Sequence, residues 1–168
     1  MAFKEVDIKS LNFNPFTKIG SEWMLITAGG ESGCNTMTAS WGGLGVLWGK
    51  NVATCYIRPQ RYTKKFVDAN DTFTLSFYGP EYKQALSICG SKSGRDCDKV
   101  KEAGFTPYFT DGTAAFEEAD MVFVCRKLYE DEIKPENFIA KENDGKWYPE
   151  KDYHTVYIAE ITKVLVKE

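Results

Sequence analysis

Six short runs rich in β-branched and aromatic residues limit what this chain can fold into. They are EWMLITAG (Glu22–Gly29), NTMTASWG (Asn35–Gly42), NVATCYIR (Asn51–Arg58), DTFTLSFY (Asp71–Tyr78), ADMVFVCRKLYE (Ala119–Glu130) and HTVYIAEITKVLV (His154–Val166). Each alternates in part, and most neighbours are joined by short segments, the pattern of antiparallel strands. The β-α-β-α order of a doubly wound sheet is absent. A sheet of this many strands has edges to hide, and closing into a barrel hides them. Two or three helices interrupt the pattern. YTKKFVDAN (62–70) sets Phe66 and Val67 on one face. PEYKQALSICG (80–90) sets Tyr82, Ala85, Leu86 and Cys89 at helical spacing and stops at Gly90, and RDCDKVKEAG (95–104) also ends on glycine. The expected class is mainly β with a few helices.

At 168 residues the chain suits a single domain over 1–168. Its 43% apolar and 27% charged residues are ordinary for a globular protein, and a net charge of −3 draws it to neither nucleic acid nor acidic lipid. MAFKEVDIKS lacks the apolar stretch of a signal peptide, and no later run is long enough to span a bilayer. Five cysteines, an odd number with no CxxC, read as free thiols in a reducing cytoplasm.

Several motifs fail. Gly43 and Gly45 begin GxGxxG, but Trp48 replaces the third glycine. Gly49-Lys50 resembles the end of a P-loop, but Leu44 holds the first glycine position and Asn51 follows. His154 is the single histidine, which excludes multi-histidine metal sites, and paired cysteines for zinc are missing.

Three stretches carry chemistry. In NTMTASWGGLG, a period of two puts Thr36, Thr38 and Ser40 on one strand face and Met37, Ala39 and Trp41 on the other. The second face suits the core. The small hydroxyls leave room for a flat polar partner on the backbone, and the glycines after them expose main-chain N–H groups; the competing reading is a solvated strand face. In CYIRPQRYTKKF, Arg58 ends a strand, Arg61 and Tyr62 follow the proline turn, and Thr63 is an expected N-cap. Arginine forks beside a helix start suit a phosphate; the competing reading is a basic surface turn. In CGSKSGRD, Ser91, Lys92, Ser93 and Arg95 cluster after a helix, as further donors or as a plain helix-to-helix loop with Asp96 as cap. A flat ring, a polyol and a phosphate together describe FMN.

NTMTASWGGLG, YIRPQRYT and CGSKSGRD resemble the flavin reductase-like, FMN-binding split-barrel proteins, in the branch that includes flavoredoxins. DYHTVYIAEI is similar to that family's last strand, although Tyr153 separates Asp152 from His154 and Ala159 stands where glycine is typical. The resemblance implies an antiparallel Greek-key split barrel that holds FMN noncovalently, as a homodimer. It implies that Asn35–Trp41 lies along the flavin, that Arg58, Arg61 and Thr63 reach the phosphate, and that Ser91, Ser93 and Arg95 add contacts. It also implies that His154 stands near the reactive side, as a catalytic group or a structural one. The activity so implied is an NAD(P)H-dependent flavin reductase, with NADH or NADPH as transient reductant. The alternatives are a flavoredoxin-type electron-transfer protein with a redox partner protein, and a non-redox binder of a phosphorylated aromatic ligand.

Overall fold

A computed structural model describes residues 2–168. Strand β1 (Phe3–Val6) and helix α1 (Pro15–Gly20) precede a hairpin of β2 (Met24–Gly30) and β3 (Gly33–Ala39). A second hairpin joins β4 (Gly42–Leu47) to β5 (Lys50–Ile57), and α2 (Thr63–Ala69) leads to β6 (Thr72–Phe77). Helices α3 (Lys83–Ser91) and α4 (Lys99–Ala103) then precede a small hairpin of β7 (Pro107–Thr110) and β8 (Thr113–Phe116). The long strands β9 (Met121–Glu132) and β10 (Thr155–Lys167) flank α5 (Glu142–Trp147).

Every strand pairing is antiparallel. The main sheet runs β3-β2-β6-β9-β10-β5-β4, with β1 added on β10. Its two end strands, β3 and β4, are consecutive in sequence, so Ser40 and Trp41 bridge the open seam of a split barrel. The crossing from β5 through α2 to β6 passes over that seam and gives the Greek-key order.

Alternation explains the interior. Met24, Ile26 and Ala28 on β2, Phe73, Leu75 and Phe77 on β6, and Phe123 and Cys125 on β9 share one buried cluster with Met37 and Ala39. The opposite face of the β2 side is also covered. Leu25 and Val122 pack with Leu86 and Cys89 of α3 and with Phe105 and Phe116. A strand buried on both faces has no polar alternation, which is why MLITA reads as one apolar run. Truncating a central ring such as Phe123 costs about 3–5 kcal/mol.

The expected strands are present with ends moved by one to three residues, but three expectations need correction. The glycine-rich segment is strand β4 rather than bare backbone. A two-residue turn at Trp48 and Gly49, both at positive φ (53° and 70°), folds it onto β5. The same device at Asp111-Gly112 (φ 50° and 74°) makes the β7–β8 hairpin, a DG signal that the sequence carries openly. Helix α3 runs past Gly90 to Ser91. Helix α4 starts from Asp98, whose carboxylate accepts the Lys101 N–H at 3.1 Å, not from Asp96.

No helix among the described residues is long and apolar enough to cross a membrane, and no cluster of three or more His, Cys, Asp or Glu side chains there is arranged to hold a metal ion. All five cysteines are free, with Cys55, Cys89 and Cys125 buried.

Candidate functional site

The barrel seam, the turn after β5 and the start of β10 meet around a cavity of about 180 Å³. Met37, Thr38, Ala39, Ser40 and Trp41 give one wall, and Arg58, Arg61 and His154 the rest, together with Tyr56. All but Tyr56 are residues that the sequence singles out. A second cavity of about 310 Å³ shares Thr38 and Ser40 and continues along α3 to Gly90 and Ser91.

The hydroxyl row divides. Thr36 is fully buried, its Oγ1 lies 2.8 Å from Oγ1 of Thr27 on the paired strand, and it also donates to the Ile26 carbonyl at 3.2 Å. Its hydroxyl is spent inside the sheet, because the helix-covered face leaves no water to receive it. Thr38 is half-buried and donates to the Leu86 carbonyl of α3, while Ser40 borders both cavities. On the other face Met37 and Ala39 are core as expected, but Trp41 is 42% exposed. The strand ends at Ala39, so alternation no longer governs Trp41, and its ring turns out over the seam.

The expected N-cap is a correction. Tyr62 occupies the cap position of α2 with no side-chain hydrogen bond, and Thr63 is the first helical residue. The buried Thr63 Oγ1 instead accepts the Asn35 side-chain N–H at 2.8 Å, which ties β3 to α2. Asn35 is therefore a strut beneath the cavity. Two glycines bring the α3 end against it. A Cβ on Gly90 would lie 3.1 Å from Thr38 Cβ, and one on Gly94 would lie 2.2 Å from Asn35 Oδ1.

The two arginines differ. Arg58 Nη1 lies 2.9 Å from the Asp152 carboxylate, Nη2 donates to the Trp147 carbonyl at 3.0 Å, and the guanidinium sits 4.9 Å over the Tyr148 ring. It is committed to the 147–152 segment. Arg61 donates from Nη1 to the Gly90 carbonyl at 2.9 Å, but its buried Nη2 meets no acceptor. Burial lowers its pKa.

Beside it the sequence reading missed Lys99, 3% exposed, whose Nζ donates to the carbonyls of Cys89 (2.9 Å) and Lys92 (3.1 Å). Burial, then the Arg61 charge, pushes Lys99 down to about 8. Two cations thus share the carbonyl end of α3, and neither forms an ion pair among the described residues. Nothing in DKVKEAG marks Lys99 rather than Lys101 as the inward lysine.

The 91–95 loop stands further out. Ser91 donates to the Ser87 carbonyl at 2.9 Å, Lys92 pairs with Glu102, and the Ser93 hydroxyl accepts the Arg95 N–H at 3.2 Å. Arg95 stacks 4.7 Å over Tyr62 and donates to the Gln60 carbonyl at 3.0 Å. Among these, only Ser91 lines either cavity.

His154 is 7% exposed, with Nδ1 2.7 Å from the Tyr148 hydroxyl and its ring 5.4 Å from that of Trp41. Burial, then the nearby Arg58 charge, pushes it down to about 4, so it is neutral at pH 7. Tyr148 occupies Nδ1 and leaves the other nitrogen for the cavity that the ring lines. A neutral imidazole there donates or accepts one hydrogen bond without adding charge.

The family model described as flavin reductase like domain matches residues 16–168. A comparison with curated proteins gives no match. Among solved structures, the chain is similar to an FMN-binding domain of flavin reductases-like enzyme from Shewanella baltica OS155, with 15% identity, a TM-score of 0.70 and coverage of 98% of this chain and 77% of that one. Flavoredoxin of Desulfovibrio vulgaris (Miyazaki F) is 21% identical, with a TM-score of 0.68 and coverage of 87% and 69%. An NADH:FAD oxidoreductase of Streptomyces globisporus is 14% identical, with a TM-score of 0.65 and coverage of 87% and 75%. At these identities the likeness is one of fold.

Proposed function

Because this chain belongs to the flavin reductase-like domain family, we propose that it binds FMN noncovalently at the barrel seam and works as an NAD(P)H-dependent flavin oxidoreductase. The observation that carries the reading is the buried Arg61 guanidinium with an unanswered N–H, backed by Lys99 without a carboxylate. A buried cationic donor left without an acceptor is costly. A phosphate answers it with charge and several oxygens at once.

The rest of the donor set fits the same molecule. Arg61, with Lys99 behind it, would hold the phosphate. Thr38 and Ser40 would meet the polyol and the ring edge from the strand, and Trp41, Tyr56 and His154 would surround the ring. Bound FMN supplies the hydride and electron chemistry that no side chain here provides. The protein's part is to orient, to exclude water with Trp41, and to offer an uncharged hydrogen-bonding group through His154. Arg58 serves the site indirectly, by fixing the segment that carries Tyr148. The assembly of such sites in homodimers, the cytoplasmic setting and a redox partner protein belong to this proposal as well.

Anaerobic titration of the purified chain with FMN and with riboflavin tests the binding, followed by NADH or NADPH while the visible flavin absorbance is watched. FMN should bind more tightly than riboflavin, and one nucleotide should bleach it. Bleaching by neither nucleotide, with FMN bound, would leave the flavoredoxin-type reading. Failure to take up FMN would end both.

A further inference from the structure

A cavity of about 460 Å³ lies where the end of α1, the β6–α3 turn and the start of β9 meet. It shares no residue with the two cavities that meet at Thr38 and Ser40. Opposite charges line it. Lys18 and Glu22 pair with each other at 2.8 Å. Lys83 and Asp120 line the same space, yet they pair neither with each other nor with any other described residue.

The backbone fixes both of these residues. Lys83 opens α3, just after a turn in which the Tyr82 N–H donates to the Gly79 carbonyl at 3.1 Å. Asp120 precedes β9, its N–H donating to the Phe77 carbonyl and its carbonyl accepting the Lys167 N–H, each at 2.9 Å. The Lys83 ammonium is met only by uncharged groups. It donates to the Ser21 carbonyl at 2.5 Å and lies 3.2 Å from the centre of the Trp23 ring. An ammonium carries three N–H donors, so donors remain for an arriving carboxylate. The Asp120 carboxylate stands exposed.

This lining selects by charge. A simple anion gains Lys83 but meets the carboxylates of Asp120 and Glu22. Glu81 adds to that repulsion, since its Oε2 lies 2.3 Å from where a Cβ on Gly79 would stand. A simple cation gains Asp120 but meets Lys83 and Lys18. A molecule with both charges gains a charge-assisted contact at each end. Tyr78, Gly79 and Pro80 supply uncharged wall, where an apolar side chain is favoured over water. The volume is that of a small-molecule site.

We propose that this cavity binds a free α-amino acid with an apolar side chain, its carboxylate on Lys83 and its ammonium on Asp120. The inference does not rest on the flavin reading.

Trp23 reports on the site, because its ring lies against the Lys83 ammonium. Its indole N–H signal, with those of Trp41, Trp48 and Trp147, is assigned in proton–nitrogen correlation spectra by single Trp→Phe variants. Leucine is titrated into the full chain at neutral pH. The Trp23 signal should move in a saturable way while the other three stay. Isoamylamine is leucine without its carboxylate, and isocaproate is leucine without its ammonium. Each should bind at least about tenfold more weakly, the loss of one charge-assisted hydrogen bond. Asp120→Asn should weaken leucine about tenfold without weakening isocaproate, a contrast that misfolding does not produce.

The proposal is overturned if leucine gives no saturable Trp23 shift, if all four signals move alike, or if either analogue binds as well as leucine. Unchanged leucine binding in Asp120→Asn also overturns it. FMN uptake is read separately by visible absorbance, so its failure would leave the leucine result standing.

Discussion

Arg58 and Arg61 stand three residues apart in one turn, and the fold uses them in opposite ways. Arg58 is held by the Asp152 carboxylate, the Trp147 carbonyl and the face of Tyr148. Arg61 is left one donor short, beside a lysine that is also without a carboxylate. Equal charge therefore does not mean equal role. A guanidinium tied to a carboxylate and a carbonyl holds structure together, and one buried with a nitrogen unanswered is open to an acceptor.

The largest effect should come from the Arg58 side, through His154. Its folded pKa of about 4 lies below the usual 6.5. Between those values the unfolded chain holds a proton that the native chain refuses, so stability rises with pH through that window and is flat above it. The full shift corresponds to about 3 kcal/mol. His154→Gln should lose most of that slope in denaturant titrations from pH 4 to 7, and an unchanged slope would place the titration elsewhere.

On the other side, Arg61→Met should weaken FMN by about 1.5–3 kcal/mol, the range for a charge-assisted hydrogen bond, and riboflavin far less. Equal losses for the two ligands would remove the phosphate from Arg61. Arg58→Met reverses that pattern. It should lower stability by about 1–2 kcal/mol, given its half-buried pair, and leave the FMN-to-riboflavin ratio unchanged. A changed ratio would restore Arg58 as a phosphate ligand. The smallest effect is Thr36→Val, about 1 kcal/mol of stability with FMN affinity kept, whereas Thr38→Val should reduce both flavins alike. Loss of flavin affinity in Thr36→Val would show that the buried hydroxyl is not purely structural.

Much of this was readable from residues. Period-two alternation gave the strands, and Met37 and Ala39 were identifiable as core. The stretches around Thr38, Arg61 and His154 do converge on one cavity. The misses share a cause. Thr36 looks identical to Thr38 in the sequence, yet its partner Thr27 lies on another strand. Thr63 has the chemistry of a cap, yet Asn35 claims it from 28 residues away. Lys99 looks like any surface lysine until α3 closes over it.

The sequence by itself determined the local matters: strand periods, the glycine-bearing turns, the stop of α4 at Gly104 and the presence of hydroxyl and arginine groups in the right stretches. Those depend on each residue's own backbone preference and on neighbours a few positions away. Only the tertiary structure decided which polar groups remained unanswered. Arg58 reaches Asp152 across 94 residues and Arg61 reaches Gly90 across 29, and a hydrogen-bond deficit exists only once every long-range partner has been placed.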